Sequence, residues 1–127
     1  GGEQLRPNIH IMDMVNAYVL LLEQPKENVA KKIFNAGYEN QKVIDLALMV
    51  KNVIGDDVNI IKKTTDDNRS YHISSQKIKR ELGFSPKYTI KDAVIDLKKA
   101  FEDNLITDSF KNENYFNIKK MQSLDFK

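Results

Sequence analysis

The chain contains no cysteine. Disulfides and thiolate metal sites are thereby excluded, and the composition fits a reducing compartment such as the cytoplasm. No apolar run approaches the ~20 residues that a membrane span needs, and no secretory signal is visible, so no membrane partner is expected. An excess of one charge is also lacking. Twenty basic and 18 acidic residues leave a net charge of +2, which gives little reason to expect a nucleic-acid partner. The short basic pairs Lys62-Lys63 and Lys119-Lys120 read as solvated surface. Glycine is scarce. Gly1, Gly2, Gly37, Gly55 and Gly83 form no Gly-x-x-Gly-x-x-Gly loop of the kind that cradles a dinucleotide. His10 and His72 have no third ligand at metal-site spacing, and both read as structural histidines with no metal. The first residues are Gly1-Gly2 rather than methionine, which suggests a fragment or a processed product.

What is present is a chain of 127 residues, enough for one domain. Ile9 and Ile11 alternate around His10 as in a short strand, while Pro7 would weaken a central strand. Asp13 then suits the N-cap of a helix whose apolar face is Val15, Tyr18, Val19 and Leu22, closed by Pro25. Residues 31–37 read as a second strand ending at Gly37, and 38–41 as a loop. Leu46, Ala47, Val50, Val53 and Ile54 share a helical face that Gly55 terminates. Val58 to Ile61 reads as a further strand. Thr89 and Asp92 resemble a capping box before the clearest amphipathic face, Ile90, Ala93, Val94, Leu97 and Phe101. That helix is expected to bury Ile90, Val94, Leu97 and Phe101. Residues 108–127 are polar around isolated aromatics and read as a tail, irregular or packed on something outside the chain. Neither an internal repeat nor a low-complexity tract occurs.

The organising stretch is 66–86. An acidic turn, Asp66-Asp67, precedes Arg69, and Ser70 to Ile73 reads as extended. Ser74 can cap a helix with an apolar edge at Ile78 and Leu82. Gly83 can end it in the left-handed conformation, Phe84 can pack back on its last turn, and Pro86 makes the stop firm. The run Arg69-Ser-Tyr-x-Ile-Ser-Ser-x-Lys-Ile-x-x-Glu-Leu-Gly-Phe-x-Pro86 resembles the C-terminal signature of the extended short-chain dehydrogenase/reductases, the NAD-dependent nucleotide-sugar epimerases and dehydratases. A second segment, Arg6-Pro-Asn-Ile-His-Ile-Met-Asp13-Met-Val-Asn-Ala17, is similar to that family's Arg-x-x-x-His-Val-x-Asp-x-x-x-Ala segment. The departure is Pro7, where the family often has an acid.

The resemblance implies an α/β or α+β fold with short strands and about four helices. Residues 1–107 would be the C-terminal substrate-binding portion, without the Rossmann half, and 108–127 the tail. It implies that Arg6 and Arg69 reach the diphosphate of a nucleotide-sugar from two sides. The chemistry suits this, because a guanidinium is planar, permanently charged and bidentate toward clustered anionic oxygens. Asn35, in Ile-Phe-Asn-Ala-Gly37, matches an asparagine near the bound nucleotide and equally suits a strand-end residue bonding its own turn. Tyr71 matches a frequent family tyrosine and also reads as a half-buried strand aromatic. Tyr115-x-x-x-Lys119 has the spacing of the superfamily's catalytic pair, but the family places that pair before the segment where this chain begins. No catalytic residue is therefore expected here. The full-length enzyme implied would bind NAD(P) on an N-terminal Rossmann domain and pair as a homodimer. No cofactor is expected on this piece, which would be inactive alone. The alternative is a stand-alone interaction domain derived from such an enzyme, without catalysis. An enzyme piece should expose an apolar face where its missing sheet packed, and a stand-alone domain should not.

Overall fold

Four helices lie where the apolar spacing and punctuation put them, in a computed structural model that describes residues 1–64, 66 and 69–124. They are α1 (Ile11–Glu23), α3 (Val43–Ile54), α4 (Gln76–Leu82) and α5 (Ile90–Glu102). Two more are short, α2 (Lys26–Val29) and α6 (Asn117–Ser123). Strands β1 (Leu5–Asn8) and β2 (Glu39–Lys42) pair antiparallel, with Arg6 opposite Gln41 and Pro7 opposite Asn40. The fold is α/β. Asp67 and Asn68 of the expected acidic turn, and residues 125–127 of the expected tail, lie outside the described residues.

The strands differ most from expectation. The Ile9–Ile11 strand is absent because His10 is the N-cap of α1, its Nδ1 accepting from the Met12 N–H at 3.1 Å. The first strand comes earlier and contains Pro7. Backbone alternation permits this. Val43 N–H donates to Gln4 O on the β2 side, whereas Leu5 turns its N–H and C=O to Ser70 and Tyr71. Pro7, two residues on, faces the same way as Leu5, so the ladder with β2 loses no donor there. The expected loop at 38–41 is largely β2. Its polar residues have poor strand propensity, and the pairing with β1 overrides it. Residues 31–37, 58–61 and 70–73 form no regular strand among the described residues. Alternation specifies an extended backbone with two faces, but a ladder also needs a neighbour.

Contacts divide the chain into two compact units, Gly1–Ile95 and Asp96–Lys127. In the first, Ala17 of α1, Ile78 of α4 and Phe84 form the core, with Ile9, Leu20, Phe34, Ala36 and Leu82 packed against them. Gly83 adopts φ 74° and donates its N–H to Lys79 O, so the left-handed stop is realised. The N-cap of α4 is Ser75 rather than Ser74, which stands one residue earlier and whose Oγ accepts only a long bond, 3.4 Å, from the Gln76 N–H. The Ser75 hydroxyl grips Gly37, accepting from its N–H at 2.8 Å and donating to its carbonyl at 3.0 Å.

Asp13 does not cap its own helix. Buried in the first turn of α1, its carboxylate accepts from the backbone N–H groups of Lys87 and Tyr88 at 2.9–3.0 Å. The apolar face of α1 is real but uncovered within the described residues: Ile11 is 68%, Tyr18 64% and Leu22 86% exposed. The expected burial along α5 holds at Ile90, is partial at Val94 and fails further along. Ile90 is buried, whereas Leu97 and Phe101 are half-exposed. In the second unit, the polar stretch contains a 3-10 turn (Glu113–Tyr115), capped by Asn112, followed by α6.

The capping box at α5 forms as its spacing suggests. Asp92 accepts from the Thr89 hydroxyl and N–H at 2.7 and 2.8 Å, and Thr89 Oγ1 accepts from the Asp92 N–H at 3.1 Å. The bonds from the Thr89 hydroxyl and backbone hold the Asp92 carboxyl below its ordinary value. A depressed carboxyl stabilises the fold above its unfolded value, near 4, and the contribution disappears as pH falls through the folded value. Wild type should therefore melt above Asp92→Asn at pH 6, and the gap should close as the pH falls below the ordinary carboxyl range, about 4. A gap that is constant with pH in thermal melts would exclude this role for the carboxylate.

Candidate anion site

Arg6, Arg69 and Tyr71 are brought together. β1 presents Arg6, whose Nη1 donates to its neighbour Leu5 O at 3.0 Å and to the backbone carbonyl of Arg69 at 2.5 Å. The guanidinium carbon of Arg6 lies 5.3 Å from the centroid of the Tyr71 ring, and that of Arg69 lies 5.9 Å from it. Both are within cation–π range of one half-exposed ring. Two permanent cations gathered at one aromatic raise the local positive potential, and an anion bridging them relieves the repulsion between them.

The segment carrying Arg69 is held against the ribbon from several sides. Tyr71 N–H donates to Leu5 O at 3.1 Å, and Leu5 N–H donates to Ser70 Oγ at 2.9 Å. Asn40 of β2 accepts from Ile73 N–H at 2.9 Å and donates to Ile73 O at 3.0 Å. A cleft of about 380 Å³ lined by Gly1, Glu3, Gln4 and Ser70 opens beside this segment. At its rim Glu3 pairs with Lys42 at 2.9 Å. The hydrogen bond from Lys42 and its charge hold the Glu3 carboxyl below its usual value and raise Lys42 in turn. The Glu3 charge is thus paired with that of Lys42.

Asn35 is exposed, and no described contact joins it to this cluster. His10 is buried, capping α1 and stacking on Tyr88 with ring centroids 4.7 Å apart. His72 is exposed, and no cluster of metal-ligating side chains occurs among the described residues. Tyr115 lies in the 3-10 turn and Lys119 in α6, where its ammonium sits over Phe116 at 4.4 Å. The pair therefore does not share one helix. Sequence reasoning missed Ser70 and Asn40. Ser70 stands between the two residues it serves, in Arg69-Ser-Tyr71, whereas Asn40 lies in a polar run with no outward sign of a role.

Comparison with known proteins shows the family of the chain. Residues 1–37 match the NAD dependent epimerase/dehydratase family. A UDP-glucose 4-epimerase of Corynebacterium glutamicum is 31% identical over 110 residues, covering 82% of this chain and 32% of the relative. The chain is a relative of the NAD-dependent epimerases and dehydratases. The structure of RMD from Pseudomonas aeruginosa complexed with NADPH has the same fold over 82% of this chain and 34% of its own, with a TM-score of 0.71 and 19% identity. The chain thus spans about a third of the length of each of these two proteins. Among the described residues, no helix is long and apolar enough to cross a membrane.

Proposed function

We propose that this chain is the C-terminal, substrate-binding portion of an NAD(P)-dependent nucleotide-sugar epimerase or dehydratase, working in the cytoplasm and inactive by itself. Its part is to grip the nucleotide diphosphate with Arg6 and Arg69 and to form one side of the sugar pocket. The observation that carries this reading is the convergence of the two arginines on Tyr71. Asn35, exposed on the stretch before Gly37, is available to the nucleotide as a hydrogen-bonding side chain. No cofactor is assigned to this chain, whose five glycines make no dinucleotide loop. The cofactor is assigned to an N-terminal Rossmann domain. The uncovered apolar face of α1, with Ile11, Tyr18 and Leu22 mostly exposed, supports packing against such a domain and weighs against a stand-alone interaction module.

The reading is tested by titrating the chain with uridine diphosphate, followed by NMR, at two salt concentrations. Arg69→Ala should weaken binding by about 1.5–3 kcal/mol, the worth of hydrogen bonds between charged partners. Arg69→Lys should recover only part, because an ammonium cannot make the two-pronged contact. Equal tolerance of Ala and Lys, with small effects that fade in salt, would mark Arg69 as ordinary surface charge.

A further inference from the structure

We infer that Asn40 is a positioning residue for the two-arginine site, acting through the backbone of Ile73 to hold Arg69 and Tyr71 against Arg6. The inference rests on the anion-binding reading above. Asn40 sits on β2 opposite Pro7, next to Gln41, which faces Arg6 across the ribbon. Its amide satisfies both backbone groups of one residue, accepting from Ile73 N–H at 2.9 Å and donating to Ile73 O at 3.0 Å. The segment from Arg69 to Ile73 has no strand ladder of its own. A side-chain amide carries one donor group and one acceptor in the geometry of a peptide, so Asn40 takes the place of a neighbouring strand at this point.

The consequence is local rather than global. Arg69 lies four residues before Ile73, and its own carbonyl meets Arg6 Nη1. If the Ile73 anchor is lost, the segment is still tethered by Ser70 and Tyr71 at Leu5 and by Ser75 at Gly37. The core residues Ala17, Ile78 and Phe84 are not among the partners of Asn40. What should loosen is the placement of the Tyr71 ring and the guanidinium above it. Gly37 lies against the same residue: a Cβ there would come within 2.6 Å of Ile73 Cδ1, the end of a flexible side chain that would have to turn aside.

The test uses inorganic pyrophosphate as probe on the whole chain, at a temperature well below each variant's melting point. Asn40→Ala should bind about five- to tenfold more weakly than wild type, with little change in the melt. A role confined to stability would leave the affinity of the folded chain unchanged. Asn40→Asp supplies a second reading. Ionised, it accepts from Ile73 N–H but cannot donate to Ile73 O. Protonated, it can do both. Its affinity relative to wild type should therefore recover as the pH falls through the carboxyl range, near 4. Should Asn40→Ala fail to fold, this recovery decides the matter. Asn40→Ala binding within twofold of wild type, or Asn40→Asp showing no recovery, overturns the inference. Arg69→Ala is measured alongside. If it weakens binding while Asn40→Ala does not, only the positioning role fails. If it binds as wild type does, the anion site and the positioning role fall together.

Discussion

Asp13→Ala should lose about 3–5 kcal/mol of unfolding free energy, among the largest effects of any single side chain here. The carboxylate is 1% exposed and accepts three contacts from two backbone N–H groups, those of Lys87 and Tyr88. Charge-assisted bonds of this kind are each worth more than neutral ones, and truncation leaves both donors without their acceptor. The damage should extend beyond the bonds themselves. Tyr88 is held where it stacks on His10, and His10 caps α1. Near-UV circular dichroism of the tyrosines should therefore change along with the urea midpoint. Asp13→Asn, which keeps one acceptor oxygen, should be intermediate. A loss below ~1 kcal/mol for the alanine variant would mean that the loop before α5 is held by something else.

Ile78→Ala should cost about 2–5 kcal/mol, as truncations of fully buried aliphatic side chains do. Ile78 is 0% exposed at the centre of a small cluster with Ala17 and Phe84. Few other side chains are as deeply buried, so the variant should leave only a thin margin of stability. Phe101→Ala provides the contrast. Helical spacing nominates Phe101 for burial, but its ring is 45% exposed, and its truncation should be the milder of the two. Denaturant unfolding of the two variants side by side decides this, and a larger loss at Phe101 would contradict the packing described.

Three of the helices, α3, α4 and α5, were legible from their own punctuation, whereas α2 and α6, short and without such signals, were not. Thr89 and Asp92 open α5, Gly83 closes α4 and Gly55 closes α3, and in each case the chemistry is local. The strands were not legible, because a strand is defined by its neighbour. Ile9-His10-Ile11 alternates like a strand, yet the imidazole bonds the next turn and starts a helix. Glu39-Asn40-Gln41 looks like loop chemistry, yet it pairs with β1. Periodicity also identified the apolar face of α1 without revealing that nothing in the described residues covers it. At the site, the two motifs nominated Arg6, Arg69 and Tyr71, and the fold joins them. Asn40 and Ser70 act on backbone groups distant in sequence, by 33 and 65 residues, and such contacts leave no mark on local sequence. Asn35 shows the converse: a motif match that no described contact ties to the cluster.

The most direct measurement is the coupling between Arg6 and Arg69 in uridine diphosphate binding. Affinities of wild type, Arg6→Ala, Arg69→Ala and the double variant close a thermodynamic cycle. If both guanidinium groups address one diphosphate, the combined loss should differ from the sum of the single losses by at least ~0.5 kcal/mol. Two near-zero single effects that simply add would contradict a shared anion site.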